Sequence, residues 1–137
     1  FFAPDELVLV TRTGGRYART ESLTCEQLLS TPLVLRENGS GTLEVISAAL
    51  AAKGIRLSQL DVVMRLGTTE GIKGFVRNSD VLAIVSVTSV VDELRSGALR
   101  IIDIEGLTLS RDFNFVHAEA EPARLVRQFV DFARADR

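Results

Sequence analysis

The chain has 137 residues, of which 46% are hydrophobic and 25% are charged, and its formal net charge is −2. This composition can bury one hydrophobic core, which excludes a disordered tail. The acidic balance argues against a nucleic-acid-binding surface, and no apolar run approaches the roughly 20 residues that cross a bilayer. The single Cys25 cannot form an internal disulfide, which fits a reducing compartment.

The first half of the chain predicts alternating strands and helices. The apolar run at residues 7–11 predicts a buried strand, and residues 24–27 form a capping box that begins a short helix. Leu33–Arg36 predicts a second strand, and residues 42–53 have the apolar spacing of a long helix. Gly54 is placed to end that helix at its C′ position.

The middle of the chain continues this alternation. Apolar runs at residues 61–66, 81–86 and 98–104 predict strands, and residues 70–77 and 88–95 predict the helices between them. Near-continuous apolar strands separated by helices indicate an α/β fold with a mixed, mostly parallel sheet that is flanked by helices.

The last part of the chain predicts an extended segment and one more helix. Residues 107–118 alternate in the half-buried pattern, and Pro122 suits the first turn of the helix that follows. That helix has a wide apolar stripe that includes Phe129 and Phe132. Because so wide a stripe should not remain in water, we expect it to dock on the rest of the chain or on a second copy.

Three polar turns follow the three central predicted strands, at residues 37–42, 67–70 and 86–88. Ligands of parallel α/β sheets bind beyond the carboxyl ends of the strands, where these turns would form a rim of hydroxyl groups and helix N-termini. Helix N-termini attract anions. The same Ser, Thr and Gly residues are also ordinary helix caps. A ligand loop and a plain cap therefore remain alternatives.

The residue types that carry most enzyme chemistry are sparse in this chain. His117 is the only histidine and has no second ligand at metal-binding spacing, and Cys25 has no evident base beside it. Glu70, Asp61 and Asp80 do not form a recognisable acid–base pair. We therefore expect no metal, no cofactor and no enzymatic activity.

Three segments together resemble the effector-binding domain of LysR-type transcriptional regulators. They are Leu-Arg-Glu-Asn-Gly-Ser-Gly-Thr at residues 35–42, Leu-Gly-Thr-Thr-Glu-Gly-Ile-Lys at residues 66–73, and Asp-Glu-Leu at residues 92–94 with Gly97 and Leu99. The resemblance implies the fold of type 2 periplasmic binding proteins. In that fold, two α/β lobes are joined by two crossover strands and hold a small effector between them.

The resemblance also implies a domain organisation. Residues 1–12 would be the first crossover strand and the end of lobe I, and residues 13–103 would be lobe II. Residues 104–137 would be the second crossover and the strand and helix that return to lobe I. A DNA-binding helix-turn-helix and most of lobe I would precede Phe1, so we expect this chain to be a fragment.

Within lobe II, the resemblance implies effector contacts from two turns. The residues implied are Asn38, Ser40, Gly41 and Thr42 in the first turn and Thr68, Thr69 and Glu70 in the second. Arg36 or Lys73 would add charge at the edge of the cleft, although a solvated helix-face lysine is the simpler expectation for Lys73. The implied effector is an anion or carboxylate.

The implied protein is a cytoplasmic, homodimeric or tetrameric regulator that binds DNA only through its N-terminal domain, with no membrane contact. One alternative is a fragment of a periplasmic-type solute-binding protein, which would have an export signal upstream instead of a helix-turn-helix. The other is an enzyme on the same fold that acts on small acids. That enzyme would need catalytic groups from both lobes, and this chain shows only hydroxyl-rich turns. The fold alone does not separate these alternatives, because one fold hosts many functions.

Overall fold

Strands and helices alternate along the computed structural model, which describes residues 3–113 and 124–135. The strands are β1 (Ala3–Arg12), β2 (Ser22–Leu23), β3 (Leu33–Arg36), β4 (Val62–Leu66), β5 (Leu82–Ser86), β6 (Leu99–Ile104) and β7 (Leu109–Phe113). The helices are α1 (Cys25–Leu29), α2 (Gly41–Ala51), α3 (Thr69–Arg77), α4 (Val91–Ser96) and α5 (Arg124–Ala135).

The described strands form one sheet in the order β2-β6-β1-β5-β3-β4, and β7 pairs with the first half of β1. β3 runs parallel to β4 and β5, and β2 runs parallel to β6. β1 is antiparallel to β5, β6 and β7, so it alone among the described strands runs in the opposite direction. This topology confirms the mixed, mostly parallel α/β sheet.

Two hydrophobic layers cover the two faces of the sheet. Leu33 and Leu35 of β3 face the layer that contains α2, whereas Val34 between them faces the layer that contains Ile72 and Val76 of α3. Successive strand residues point to opposite faces, so an unbroken apolar run is what a strand covered on both sides requires. All five side chains are fully buried.

The predicted ends of two helices are confirmed by their hydrogen bonds. In the capping box of α1, the Gln27 N–H donates to Thr24 Oγ1 and the Thr24 N–H donates to Gln27 Oε1. After α2, Gly54 has a φ of 74° and the Ile55 N–H donates to the Leu50 carbonyl at 3.0 Å. That bond, across a left-handed Gly54 at C′, is the Schellman motif.

Two predicted elements differ in the structure, and the short strand β2 was not predicted. β1 begins at Ala3 rather than at residue 7, because its first residues pair with β7 although they do not form an apolar run. The segment predicted as one helix at residues 88–95 begins as a 3₁₀ turn, Val87–Val90, and becomes α-helical only from Val91. Local spacing does not distinguish these two kinds of helical turn.

The last helix is confirmed, whereas the docking of its apolar stripe on the rest of the chain or on a second copy stays a prediction. Phe129 and Phe132 of α5 are 62% and 68% exposed. Burial of these rings therefore requires a surface from outside the described chain. Residues 114–118 of the predicted extended segment and Pro122 lie outside the described residues. Within the described part of the chain, the helices lack the length and apolar character needed to span a membrane.

Candidate functional site

The three predicted polar turns lie at one edge of the sheet. They follow β3, β4 and β5, which are adjacent parallel strands, so their carboxyl ends point the same way. The first two turns are in close contact, because a Cβ atom built on Gly67 would lie 3.2 Å from Oε2 of Glu37. The topology therefore brings together the groups that the sequence placed on separate turns.

The first turn caps α2 and leaves its N-terminus open. Ser40 is the N-cap residue, and its Oγ accepts the Leu43 N–H at 3.2 Å. A Cβ atom on Gly41 would have only Arg111 Nη1 nearby among the described atoms, at 3.9 Å, so a ligand can approach this backbone closely. Thr42 Oγ1 accepts a hydrogen bond from Arg111 Nη1 at 3.3 Å, and Asn38 is exposed.

The second turn caps α3 in the same way. Thr68 Oγ1 accepts the Gly71 N–H at 3.0 Å, and Thr69 begins the helix with its side chain partly buried. The Glu70 side chain is 80% exposed, and its Oε1 lies 3.0 Å from Lys73 Nζ. Two capping hydroxyls thus each use an oxygen lone pair for their own helix, while the hydroxyl hydrogens can donate elsewhere.

Lys73 differs from both roles considered for it. It is neither a solvated lysine nor a free charge at the cleft, because it is only 7% exposed. Its Nζ lies 2.7 Å from Glu93 Oε1 and donates to the Ser89 carbonyl at 2.8 Å. The Glu93 hydrogen bond is the main cause of a raised Lys73 pKa, and the same bond lowers the pKa of Glu93. Lys73 therefore joins α3 to α4.

Arg36 lies at this edge of the sheet, close to an acidic side chain. Its Nη2 lies 3.3 Å from Glu37 Oε1, and its side chain is 26% exposed. The Arg36 Nε is buried without a hydrogen-bond partner among the described residues. The carbonyl of Arg36 accepts from Arg65 Nη1 at 3.3 Å. Glu37 reduces the positive charge that Arg36 brings to this edge.

The third turn leads to residues that the sequence did not single out. Ser86 Oγ, at the end of β5, donates to Asp5 Oδ1 at 2.6 Å and lies 2.9 Å from Thr88 Oγ1. Asp5 Oδ2 accepts from Arg111 Nε at 2.9 Å. Asp5 lies on β1 and Arg111 on β7, and 106 residues separate them. No local spacing connects such a pair, so only the strand pairing could reveal it.

An open groove of about 400 Å³ adjoins this network. Its lining residues are Asp5, Glu6, Val87, Thr88, Thr108 and Ser110. The exposed surface of this lining is mostly apolar, and both oxygens of Asp5 already accept hydrogen bonds.

No cluster of metal-binding side chains occurs within the described ranges. Cys25 Sγ lies 3.8 Å from the Glu105 carbonyl, and His117 falls outside the described residues.

The family model of the LysR substrate binding domain matches residues 1–137. The chain belongs to this family. The mixed α/β sheet of this chain agrees with the fold of that family.

Two curated relatives match most of this LysR chain. It is 35% identical over 135 residues to the phosphonates import ATP-binding protein PhnC of Anaeromyxobacter dehalogenans, with 98% of this chain and 27% of that protein covered. It is 31% identical over 129 residues to the uncharacterized HTH-type transcriptional regulator YeiE of Escherichia coli, with 93% and 43% covered. The chain thus spans less than half the length of either relative.

A solved structure with the same fold contains a ligand. It is the regulatory domain of CcmR from Synechocystis PCC6803 in complex with 2-PG, with a TM-score of 0.74 and 21% identity. The match covers 98% of this chain and 64% of that one. At this identity, the likeness shows the fold alone.

Proposed function

We propose that this LysR domain senses a small anionic effector for a DNA-binding transcriptional regulator. The observation that carries the proposal is the first turn, where the Ser40 cap, the open backbone of Gly41 and the Thr42 hydroxyl lie beside the Arg111 guanidinium. A helix N-terminus with hydroxyl donors and the positive charge of a nearby guanidinium is a favourable environment for a carboxylate or phosphate. The complex of CcmR with 2-PG supports a small ligand on this fold.

The proposed effector contacts come from two turns with different chemistry. The first turn supplies donors from Asn38, Ser40, Gly41 and Thr42. The second turn supplies the hydroxyls of Thr68 and Thr69 and the exposed carboxylate of Glu70. A carboxylate repels an anion but accepts hydrogen bonds, so an effector with both an acidic group and a hydroxyl or amine group would satisfy both turns.

The proposed role also implies a domain organisation, a location and an oligomeric state. We propose that residues 1–12 and 104–137 contain the two crossovers, and that residues 13–103 form lobe II. A helix-turn-helix outside this chain would bind DNA. The protein would work in the cytoplasm as a homodimer or tetramer, and would act by binding rather than by catalysis. The relatedness to the regulator YeiE supports this organisation.

One substitution tests whether the first turn binds a ligand or only caps α2. Ser40→Asp keeps an effective N-cap acceptor but places a negative charge where the effector would bind. We expect Ser40→Asp to unfold at nearly the temperature of the unsubstituted protein, yet to lose stabilisation by the anion that the protein prefers. The measurement is thermal unfolding with and without 2-PG, phosphate, sulfate and short carboxylic acids. A ligand at 100 times its dissociation constant adds about 2.7 kcal/mol.

Thr68→Asp makes the same change at the cap of α3, so it compares the two proposed contact turns with each other. If the first turn carries the anion, Thr68→Asp retains more of the anion-induced shift than Ser40→Asp does. An unchanged shift in Ser40→Asp would reject the first turn as the effector site. The absence of any shift with the unsubstituted protein would reject an effector from the tested classes.

A second candidate is a solute-binding module in import machinery. The match to PhnC favours it, since that protein is named for phosphonate import. The residues before Phe1 in the complete gene product discriminate the two candidates. A helix-turn-helix there supports the regulator, whereas an export signal or a transport domain supports the second candidate.

A further inference from the structure

A buried carboxylate joins three strands beside the proposed effector turn. The Asp5 side chain is 1% exposed, and each of its oxygens has a partner on another strand. Oδ1 accepts from Ser86 Oγ of β5 at 2.6 Å, and Oδ2 accepts from Arg111 Nε of β7 at 2.9 Å. Asp5 and Arg111 are also direct cross-strand neighbours on β1 and β7.

The Arg111 side chain extends this connection to α2. While its Nε contacts Asp5, its Nη1 lies 3.3 Å from Thr42 Oγ1 in the first turn of the helix. A guanidinium is a rigid planar fork, so a partner that orients one of its nitrogens also fixes the others. The Asp5 carboxylate therefore helps to orient the Arg111 donor towards Thr42.

Stability alone is a weak reason for this arrangement. Apolar side chains of similar volume often replace a buried ion pair without loss of stability, and apolar cross-strand pairs also stabilise a sheet. A cation beside a helix N-terminus is, in addition, unfavourable for the helix dipole. The arrangement does provide a fixed direction for one guanidinium at the edge of the sheet.

We propose that Asp5 and Arg111 are positioning residues of the effector site. Asp5 holds the Arg111 guanidinium, and Arg111 in turn holds the Thr42 side chain in the orientation that binds the effector. Ser86 anchors Asp5 to the end of β5, so the third turn acts through the same carboxylate. This inference rests on the proposed function. It makes effector affinity dependent on a carboxylate that lies behind the turn.

The test is isothermal titration calorimetry on the complete protein that contains this chain, with 2-PG and inorganic phosphate as probes. We expect Asp5→Asn to weaken the binding of the better probe about tenfold or more. Arg111→Lys keeps the charge but cannot bond Asp5 and Thr42 together, so we expect a similar loss. Ser86→Ala is a milder variant that tests the same carboxylate if Asp5→Asn does not fold, with a smaller loss expected.

Asp80→Asn is the matched control. Asp80 Oδ1 lies 2.8 Å from Arg12 Nη2, so this variant breaks another arginine–aspartate pair of β1 at the opposite end of the strand. We expect its probe affinity to stay within about twofold of the unsubstituted protein. Thermal unfolding of each variant separates a loss of affinity from a loss of stability. If the pair were merely structural, its variants would lose stability but not affinity.

The outcomes distinguish this inference from the proposed function. Unchanged affinity in Arg111→Lys and Ser86→Ala overturns the positioning role while the effector site stands. Equal losses of affinity in Asp5→Asn and Asp80→Asn also overturn it, because the loss of a distant arginine–aspartate pair would then have the same effect. If the unsubstituted protein binds neither probe, the proposed anion site fails and this inference fails with it.

Discussion

Lys73 and Glu93 form a short ion pair, with 2.7 Å between Nζ and Oε1, and their side chains are only 9% and 12% exposed. The pair joins α3 to α4, and these helices come after the polar turns that follow β4 and β5. The Oε2 atom of Glu93 is buried without a hydrogen-bond partner among the described residues. The pair is therefore a structural support that requires both of its charges.

Removal of one charge from this pair should be costly. We expect Lys73→Met to lower the free energy of unfolding by about 3 kcal/mol, because it leaves a buried carboxylate uncompensated. Glu70→Gln removes the exposed partner of the same lysine and should cost less than about 1 kcal/mol. Urea unfolding of the two variants checks this difference. Equal losses would contradict the assignment of Glu93 as the main partner.

The same pair predicts a dependence of stability on pH. Glu93 has a pKa below its ordinary 4.5, so its stabilisation is present above that pH and is lost as the pH falls through the lowered value. Lys73 has a pKa above its ordinary 10.5, so its stabilisation is present below that pH and is lost as the pH rises through the raised value.

The acid side of this dependence is the easier one to measure. We expect Glu93→Gln to flatten the fall in unfolding free energy from neutral pH towards about pH 3. Asp80→Asn is a useful comparison, because hydrogen bonds from the Arg16 backbone and the Arg12 side chain lower the pKa of Asp80 as well. An acid slope that Glu93→Gln leaves unchanged would show that the pair does not titrate with unfolding.

The two glycines inside α3 should respond differently to alanine. A Cβ atom on Gly74 would meet nothing within 4 Å among the described atoms, so Gly74→Ala should stabilise the protein by up to about 1 kcal/mol. A Cβ atom on Gly71 would lie 2.9 Å from Thr68 Oγ1, the acceptor that caps the helix. Gly71→Ala should therefore gain less or lose stability. Thermal unfolding checks both, and equal gains would contradict the capping role of Thr68.

The exposed rings of α5 predict self-association. Phe129 and Phe132 are 62% and 68% exposed, and burial of two such rings against another surface is favourable by several kcal/mol. We expect the isolated chain to associate at micromolar concentration and the Phe129→Glu/Phe132→Glu variant to sediment as a monomer. Analytical ultracentrifugation checks this. A monomeric unsubstituted chain would contradict the prediction.

Much of the fold was predictable because it depends on local signals. The strand Leu33–Arg36 and the Schellman end of α2 at Gly54 agree with the structure. The buried position of Lys73 was not predictable, because its reason is Glu93, which lies on another helix. The first half of β1 was missed because cross-strand pairing with β7 forms it, rather than an apolar pattern.

The candidate site likewise contains residues that were predictable from local signals and residues that were not. The hydroxyls of Ser40 and Thr68 were predictable because a helix cap has a fixed position relative to the helix that it begins. Asp5 and Arg111 were not, because 106 residues separate the two halves of the pair. A sequence read in windows contains no signal at that separation.

The sequence alone determined the α/β class, the order of the elements and the polar turns, since periodicity, caps and glycines act over a few residues. The tertiary structure decided that β1 runs against its neighbours, that Lys73 is buried, and that Asp5, Ser86, Arg111 and Thr42 meet at one edge. The physical reason is that strand pairing and the burial of charge depend on residues far apart in the chain, which only the folded backbone brings within hydrogen-bonding distance.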